Sequence, residues 1–368
     1  VTYSPATEDD LTALRQAVAT LEGVRTSFSD IEGSLDLIHS RLSQPAPPPP
    51  PPEPALPAVG VVGGSSWNGL TPVARQDALG LMAQAGITHF RVGVPWSSVE
   101  RTKGVYGLDL YRTLVREVVH AGLIPVAVLG YTPPHYRLPG GDMFSQPTPA
   151  GIAAYHAFCL AVFRALVPLG CFRYEVWNEP NHAGPPGMAP VSAKVHAQLC
   201  FEAHTAAANT SRHIRLVAGA ISPAPDKPPS AEGATLYLQN TLAAKPGFFD
   251  FVDEWSIHPY PGLRDGKPNR LLDGWFWRQQ YASMRPLVPQ HVPISATECG
   301  FSTFDMTEEQ QAAGLVDAIQ TWPEAGPFYI FNWRDWGQTP ARDNRQGLAR
   351  LDGTLRPAYF AVKNLLTG

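Results

Sequence analysis

At 368 residues with 44% hydrophobic content, the chain holds enough apolar material for one large domain or two ordinary ones. A net charge of −4 and a charged fraction of only 16% exclude the basic surface that nucleic acid or an anionic bilayer selects. Low charge combined with 9 Trp and 12 Tyr suits a neutral, hydroxyl-rich ligand instead.

The N-terminus, Val1-Thr2-Tyr3, opens into acidic sequence. It has neither a basic n-region nor an apolar h-region, so an uncleaved signal peptide is not expected, and no apolar run reads as a membrane span. Residues 8–43 carry a heptad pattern, with Leu14, Leu21, Phe28, Leu35 and Leu42 in one seam position and Ala17, Val24, Ile31 and Ile38 in the other. Such a run predicts a coiled coil over residues 1–44 and hence a homo-oligomer, although Gly23 and Gly33 each weaken the helix by ~1 kcal/mol. An amphipathic helix lying on the main domain is the plain alternative. Residues 45–57 follow as a proline-rich spacer, roughly 40 Å long in polyproline II geometry. This is the clearest domain boundary.

From residue 58 to 368, β-rich runs alternate with helical ones. The expected strands are 59–62, 88–94, 124–129, 173–177, 215–220, 254–258, 293–297 and 328–333. The expected helices are 72–85, 108–121, 149–166, 192–209, 275–287, 307–320 and 357–366, with Gly86 and Gly122 placed as C-caps. Alternation of this kind predicts an α/β fold with a parallel sheet, and no Gly-x-Gly-x-x-Gly turn supports a doubly wound one. The expectation is a (β/α)8 TIM barrel. The four cysteines, Cys159, Cys171, Cys200 and Cys299, have no paired Cys-x-x-Cys spacing and no surrounding His cluster, so buried thiols are expected rather than a zinc site.

In such a barrel the chemistry lies at the C-terminal ends of the strands. The fourth strand ends Trp177-Asn178-Glu179-Pro180-Asn181, where the proline forces the chain out of the sheet and presents a carboxylate beside an amide. The seventh ends Thr297-Glu298-Cys299-Gly300, a second carboxylate. Two glutamates on opposed strands are what retaining glycoside hydrolysis requires, one protonating the leaving oxygen and the other attacking the anomeric carbon. Arg91 on the second strand would hold Glu298 ionised, and Tyr260 would bond the same carboxylate. Asn178 would bond a sugar 2-hydroxyl, and Trp333 would offer a flat face to a sugar ring. His135, after the third strand, either contacts substrate or shapes its loop. Arg91 and His258 also have plain readings, as a structural ion-pair partner and a satisfied core histidine.

Taken together, Trp177-Asn178-Glu179-Pro180, His258-Pro259-Tyr260, Thr297-Glu298-Cys299-Gly300 and Trp333 resemble the clan of retaining (β/α)8 glycoside hydrolases with glutamates on strands four and seven. Val176–Asn181 with Ile257–Tyr260 is most similar to glycoside hydrolase family 39. The resemblance spans roughly residues 58–368 and implies Glu179 as acid/base, Glu298 as nucleophile, and no metal or organic cofactor. Cys299 departs from the aromatic residue that many relatives carry after the nucleophile. No strand-rich segment is long enough for the β-sandwich of family 39 β-xylosidases, which favours an endo-acting enzyme on a poly- or oligosaccharide. A coil and spacer would suit an extracellular or cell-envelope setting. The alternatives are a glycan-binding barrel without turnover and a structural or assembly protein that works through the coil. If residues 1–57 drive association, light scattering will give a multimeric mass for the full chain and a monomeric mass for one starting at Ala58; equal monomeric masses would remove the coil.

Overall fold

The structure is a computed structural model that describes residues 56–64, 67–182, 190–223, 231–261, 275–337, 341 and 344–368, together with Thr12, Arg15, Gln16 and Val18. It divides into two compact units, Val1–Glu53 and Pro54–Gly368. In the first, the four described residues are helical and exposed. The rest of the heptad pattern and nearly all of the proline spacer lie outside the described residues.

The second unit is a closed barrel of eight parallel strands in sequence order. These are β1 (Val59–Val62), β2 (His89–Pro95), β3 (Ile124–Gly130), β4 (Arg173–Val176), β5 (Arg215–Ile221), β6 (Glu254–Ile257), β7 (Ile294–Cys299) and β8 (Phe328–Ile330). Closure is made by β8 pairing with β1 through Val59–Phe328, Gly60–Tyr329 and Val61–Ile330. The helices between them are α1 (Pro72–Gln84), α2 (Trp96–Val99), α3 (Asp109–His120), α4 (Pro149–Leu166), α5 (Ala193–Ala208), α6 (Ala234–Ala244), α7 (Trp275–Met284), α8 (Glu308–Gln320) and α9 (Pro357–Thr367).

Local chemistry accounts for four of the helix starts. The Thr71, Thr148 and Ser192 side chains accept from the backbone N–H three residues on, and Thr307 with Gln310 forms a reciprocal capping box. Gly86 and Gly122 have φ of 76° and 79°, which makes them the helix-terminating residues expected from the sequence. The sequence reading missed α6. Its N-cap is Gly233, with no side-chain hydrogen bond to announce a start, although Tyr237, Leu238 and Thr241 are buried. The reading also found no bilayer-length apolar run, yet Pro149–Leu169 is long and apolar enough by length and composition. Here one face of it packs into the core: Tyr155, Phe158, Cys159, Val162, Phe163 and Leu166 are fully buried.

The apolar core lies between the sheet and the helices, and a separate small cluster of Val62, Val126 and Tyr329 belongs to the barrel interior. Charged and polar side chains fill much of the rest of the interior. Arg91 of β2 bonds Glu175 of β4, Ser256 of β6 bonds Glu175, and Arg173 of β4 pairs with Glu254 of β6. None of these strand pairs is adjacent in the sheet, so the bonds cross the lumen. Gly60 makes room for Tyr329, because a Cβ there would sit 2.3 Å from its ring. Gly60→Ala is therefore expected to destabilise by ~1–3 kcal/mol. Gly80→Ala, in α1 with nothing within 4 Å of the added carbon, should stabilise by roughly 0.5–1 kcal/mol. Chemical denaturation of the two variants checks the contrast.

Candidate active site

Four non-glycine residues have a left-handed backbone: Tyr131 (φ 74°), Trp177 (72°), Glu179 (47°) and Ala220 (47°). All lie at the C-terminal ends of β3, β4 and β5, and each such conformation costs ~1–2 kcal/mol. Strain concentrated on one rim of the barrel marks where the chain has been bent to aim side chains.

Glu179 leaves β4 with its backbone N–H donating to Ala220 O at 3.0 Å. Ala220 and its neighbour Gly219 (φ 112°) form a bulge in β5, where the register with β6 shifts. Asn181, fully buried, ties the same turn to the next loop: its Nδ2 donates to Ser222 O and Glu232 O, each at 3.0 Å, and its Oδ1 accepts from Ser222 N–H at 2.9 Å. The acid-bearing turn is thus held by the following strand rather than by its own.

Glu298, at the tip of β7, is clamped from two sides. Arg91 Nη1 donates to its Oε1 at 2.6 Å and the Tyr260 hydroxyl donates to its Oε2 at 2.7 Å. Arg91 also donates from Nε to Glu175 Oε2 at 2.6 Å and from Nη2 to Asn178 Oδ1 at 2.8 Å. Fixing that oxygen leaves the Asn178 amide nitrogen as the atom available to a ligand. Between the two carboxylates sits His258, with Nδ1 3.0 Å from Glu179 Oε1 and 3.6 Å from Glu298 Oε2.

Burial pushes the Glu298 carboxyl up, but the His258 and Arg91 charges and the Tyr260 hydrogen bond outweigh it and hold it below the usual value. Burial lowers His258, and the opposing pull of Glu298 and Glu179 raises it above the ordinary histidine value. The Tyr260 hydroxyl is pushed well up, by burial first and by Glu298 next, which keeps it a donor. One carboxylate of the pair is therefore fixed as an anion.

The ligand atoms of Glu179, His258 and Glu298 lie within 4.8 Å of one another, a spacing that a divalent ion could bridge. The chemistry fits a cation poorly. Glu298 Oε1 already carries a guanidinium at 2.6 Å, and His258 Nδ1 is bonded to the Glu179 carboxylate. A dication would displace the first or compete with the second.

Of the residues expected from the sequence, the structure brings Arg91, Asn178, Glu179, His258, Tyr260 and Glu298 into one connected set. His135 is not bonded into it. Its Nε2 lies 3.5 Å from Oε1 of the buried Glu100, which also accepts from Trp96 Nε1 at 2.5 Å and Gly104 N–H at 2.7 Å. The expectation for Trp333 is corrected: it is only 4% exposed, in the apolar core, with its ring edge-on to Tyr359 of α9. β8 ends at Ile330, and the half-buried ring that meets the site is Phe331, 6.0 Å from Tyr260. Sequence reasoning also missed Glu175, Ser256 and Tyr131. Glu175 gave one signal, because it shares the inward parity of Arg173 in β4, and a buried charge there demands a partner.

Solved structures share this barrel at low sequence identity. A family 39 glycoside hydrolase from Bacteroides cellulosilyticus WH2 is 20% identical with a TM-score of 0.64, over 85% of this chain and 64% of that one. A GH39 enzyme from Xanthomonas axonopodis pv. citri is 16% identical with a TM-score of 0.61, over 85% and 66%. A GH5_18 protein from Streptomyces cattleya, in complex with GlcNAc, is 16% identical with a TM-score of 0.62, over 85% and 80%. The chain thus spans less than two thirds of the Bacteroides enzyme's length. No protein-family model and no curated protein matches the sequence. The fold of the family 39 and family 5 glycoside hydrolases is shared.

The shifts give opposite pH signatures. Glu298 has a folded value below its unfolded one, so its contribution to stability is present above the ordinary carboxylate value and lost as pH falls through the folded value. His258 is raised, so its contribution is full below about pH 6.5 and lost as pH rises through the folded value. The Tm gap between the unmodified chain and His258→Gln should accordingly be wider near pH 5.5 than near pH 8.5. A gap that widens with pH contradicts the raised value.

Proposed function

We propose that the chain is a retaining O-glycosidase working by double displacement on a poly- or oligosaccharide. The observation that carries this reading is the pair of carboxylates with oxygens within 4.8 Å, one of them clamped as an anion by Arg91 and Tyr260. Retaining enzymes hold their carboxyl groups about 5–5.5 Å apart because only the anomeric carbon comes between them, whereas inverting enzymes need about 6.5–9.5 Å to admit a water. The shorter class fits.

Glu298 attacks the anomeric carbon as Glu179 gives its proton to the departing oxygen, leaving an ester between the sugar and Glu298. Glu179 then takes a proton from water, which cleaves the ester and restores both groups. Arg91 and Tyr260 hold the nucleophile, and the Asn178 amide nitrogen is free to donate to a sugar hydroxyl. His258, bonded to Glu179 Oε1, orients the acid/base and shares its proton between steps. The fold shared with family 39 and family 5 enzymes supports this chemistry by analogy.

The test is a panel of aryl glycosides and polysaccharides read by released reducing ends, with Glu298→Ala as control. Release by the unmodified chain alone supports the reading; glycan binding without release supports a binding barrel. Glu179→Ala should lose ~10²–10⁴-fold on natural glycans and far less on substrates whose leaving group departs without protonation. Undiminished natural-glycan turnover by Glu179→Ala contradicts the role given to it.

A further inference from the structure

On the β3 side of the mouth, one ring beyond Tyr131, an exposed aromatic ring is held in place by a buried polar frame. Phe144 is 40% exposed, and its ring meets the ring of Tyr131 edge-on at 5.2 Å. Tyr131 meets Trp177 at 6.2 Å on its other side and lies within the electrostatic reach of Arg91, Glu298 and Glu179. The two rings therefore continue the site outward from the reacting groups.

What holds Phe144 there is specific. Thr132, fully buried and next in sequence to Tyr131, donates its N–H to Met143 O at 2.8 Å and its hydroxyl to Ser145 O at 2.6 Å. Those two bonds bracket Phe144. Asp142 Oδ1 accepts from Phe144 N–H at 2.9 Å and from Ser145 N–H at 3.1 Å, closing an Asx turn under the ring. A loop that served only to connect β3 to α4 would gain by turning Phe144 inward, since burying such a ring is worth roughly 1.5–3 kcal/mol. This loop fixes it outward instead, against the Tyr131 ring that lies within reach of Glu298 and Glu179.

We infer that Phe144, backed by Tyr131, is a platform for a sugar ring adjoining the one that Glu298 attacks, so that the substrate is an oligosaccharide or longer chain. The inference rests on the glycosidase reading and deepens it. A pyranose presents a face of C–H groups that packs on an aromatic ring while its rim hydroxyls stay in water, which suits a half-exposed ring rather than a closed pocket. A neutral ring needs no counter-charge, and Phe144 offers none.

The experiment uses the full chain, unmodified and as Phe144→Ala and Phe144→Trp, on a length series of oligosaccharides of whichever sugar the enzyme cleaves. Phe144→Ala should lose about three- to tenfold in kcat/KM, carried in KM, with kcat and Tm near those of the unmodified chain. Phe144→Trp should restore it. Unchanged kcat/KM at every chain length, or a loss carried in kcat with a matching fall in Tm, overturns the platform and leaves the glycosidase reading standing. No release by the unmodified chain from any glycan overturns both.

Discussion

Arg91 is a guanidinium only 4% exposed, with Glu175, Glu298 and Asn178 on its three nitrogens. Those partners come from the interior of β4, the tip of β7 and the turn that carries Glu179. An unpaired charge in such a place costs several kcal/mol, and removing one partner from a buried pair typically costs ~3–5 kcal/mol. The barrel can therefore close only if these three elements converge on one side chain. That requirement fixes Glu298 as an anion and leaves the Asn178 amide nitrogen without a part in the clamp.

The same requirement passes beneath the site to Glu179. Glu175 Oε1 accepts from the Ser256 hydroxyl at 2.7 Å, and that hydroxyl accepts from Ala220 N–H, also at 2.7 Å. Ala220 in turn receives the Glu179 N–H on its carbonyl. Gly219 allows the bulge, because a Cβ there would sit 2.4 Å from Ser256 O. A continuous path of bonds thus joins the two glutamates beneath the candidate site, from Glu298 through Arg91, Glu175, Ser256 and Ala220 to Glu179. Separating the pair by even an ångström would stretch bonds that are buried. Their spacing is set by the barrel interior as well as by His258 between them.

The barrel was legible because its signals are local and periodic. Strand alternation, the threonine and serine caps, and Gly86 and Gly122 each act within a few residues of where they stand in the sequence. Asn178, Glu179 and Glu298 were legible because strand ends in a barrel are where side chains are free to react. Trp333 was misplaced for a related reason: a strand drawn three residues too long put it on the mouth, whereas β8 stops at Ile330 and leaves Phe331 there. Glu175, Ser256 and Tyr131 escaped because their role exists only across the lumen or after a left-handed turn. No pattern within a single strand encodes which residue faces it from the far side of a closed sheet.

Covalent trapping tests the central claim most directly, because a retaining mechanism places one sugar on one carboxylate. The chain would be incubated with a 2-fluoro glycoside of the accepted sugar bearing an activated leaving group, then digested and read by peptide mass spectrometry. The account predicts the added sugar mass on the peptide containing Glu298, through its side chain. An adduct on Glu179, or turnover that yields inverted product with no adduct, contradicts it.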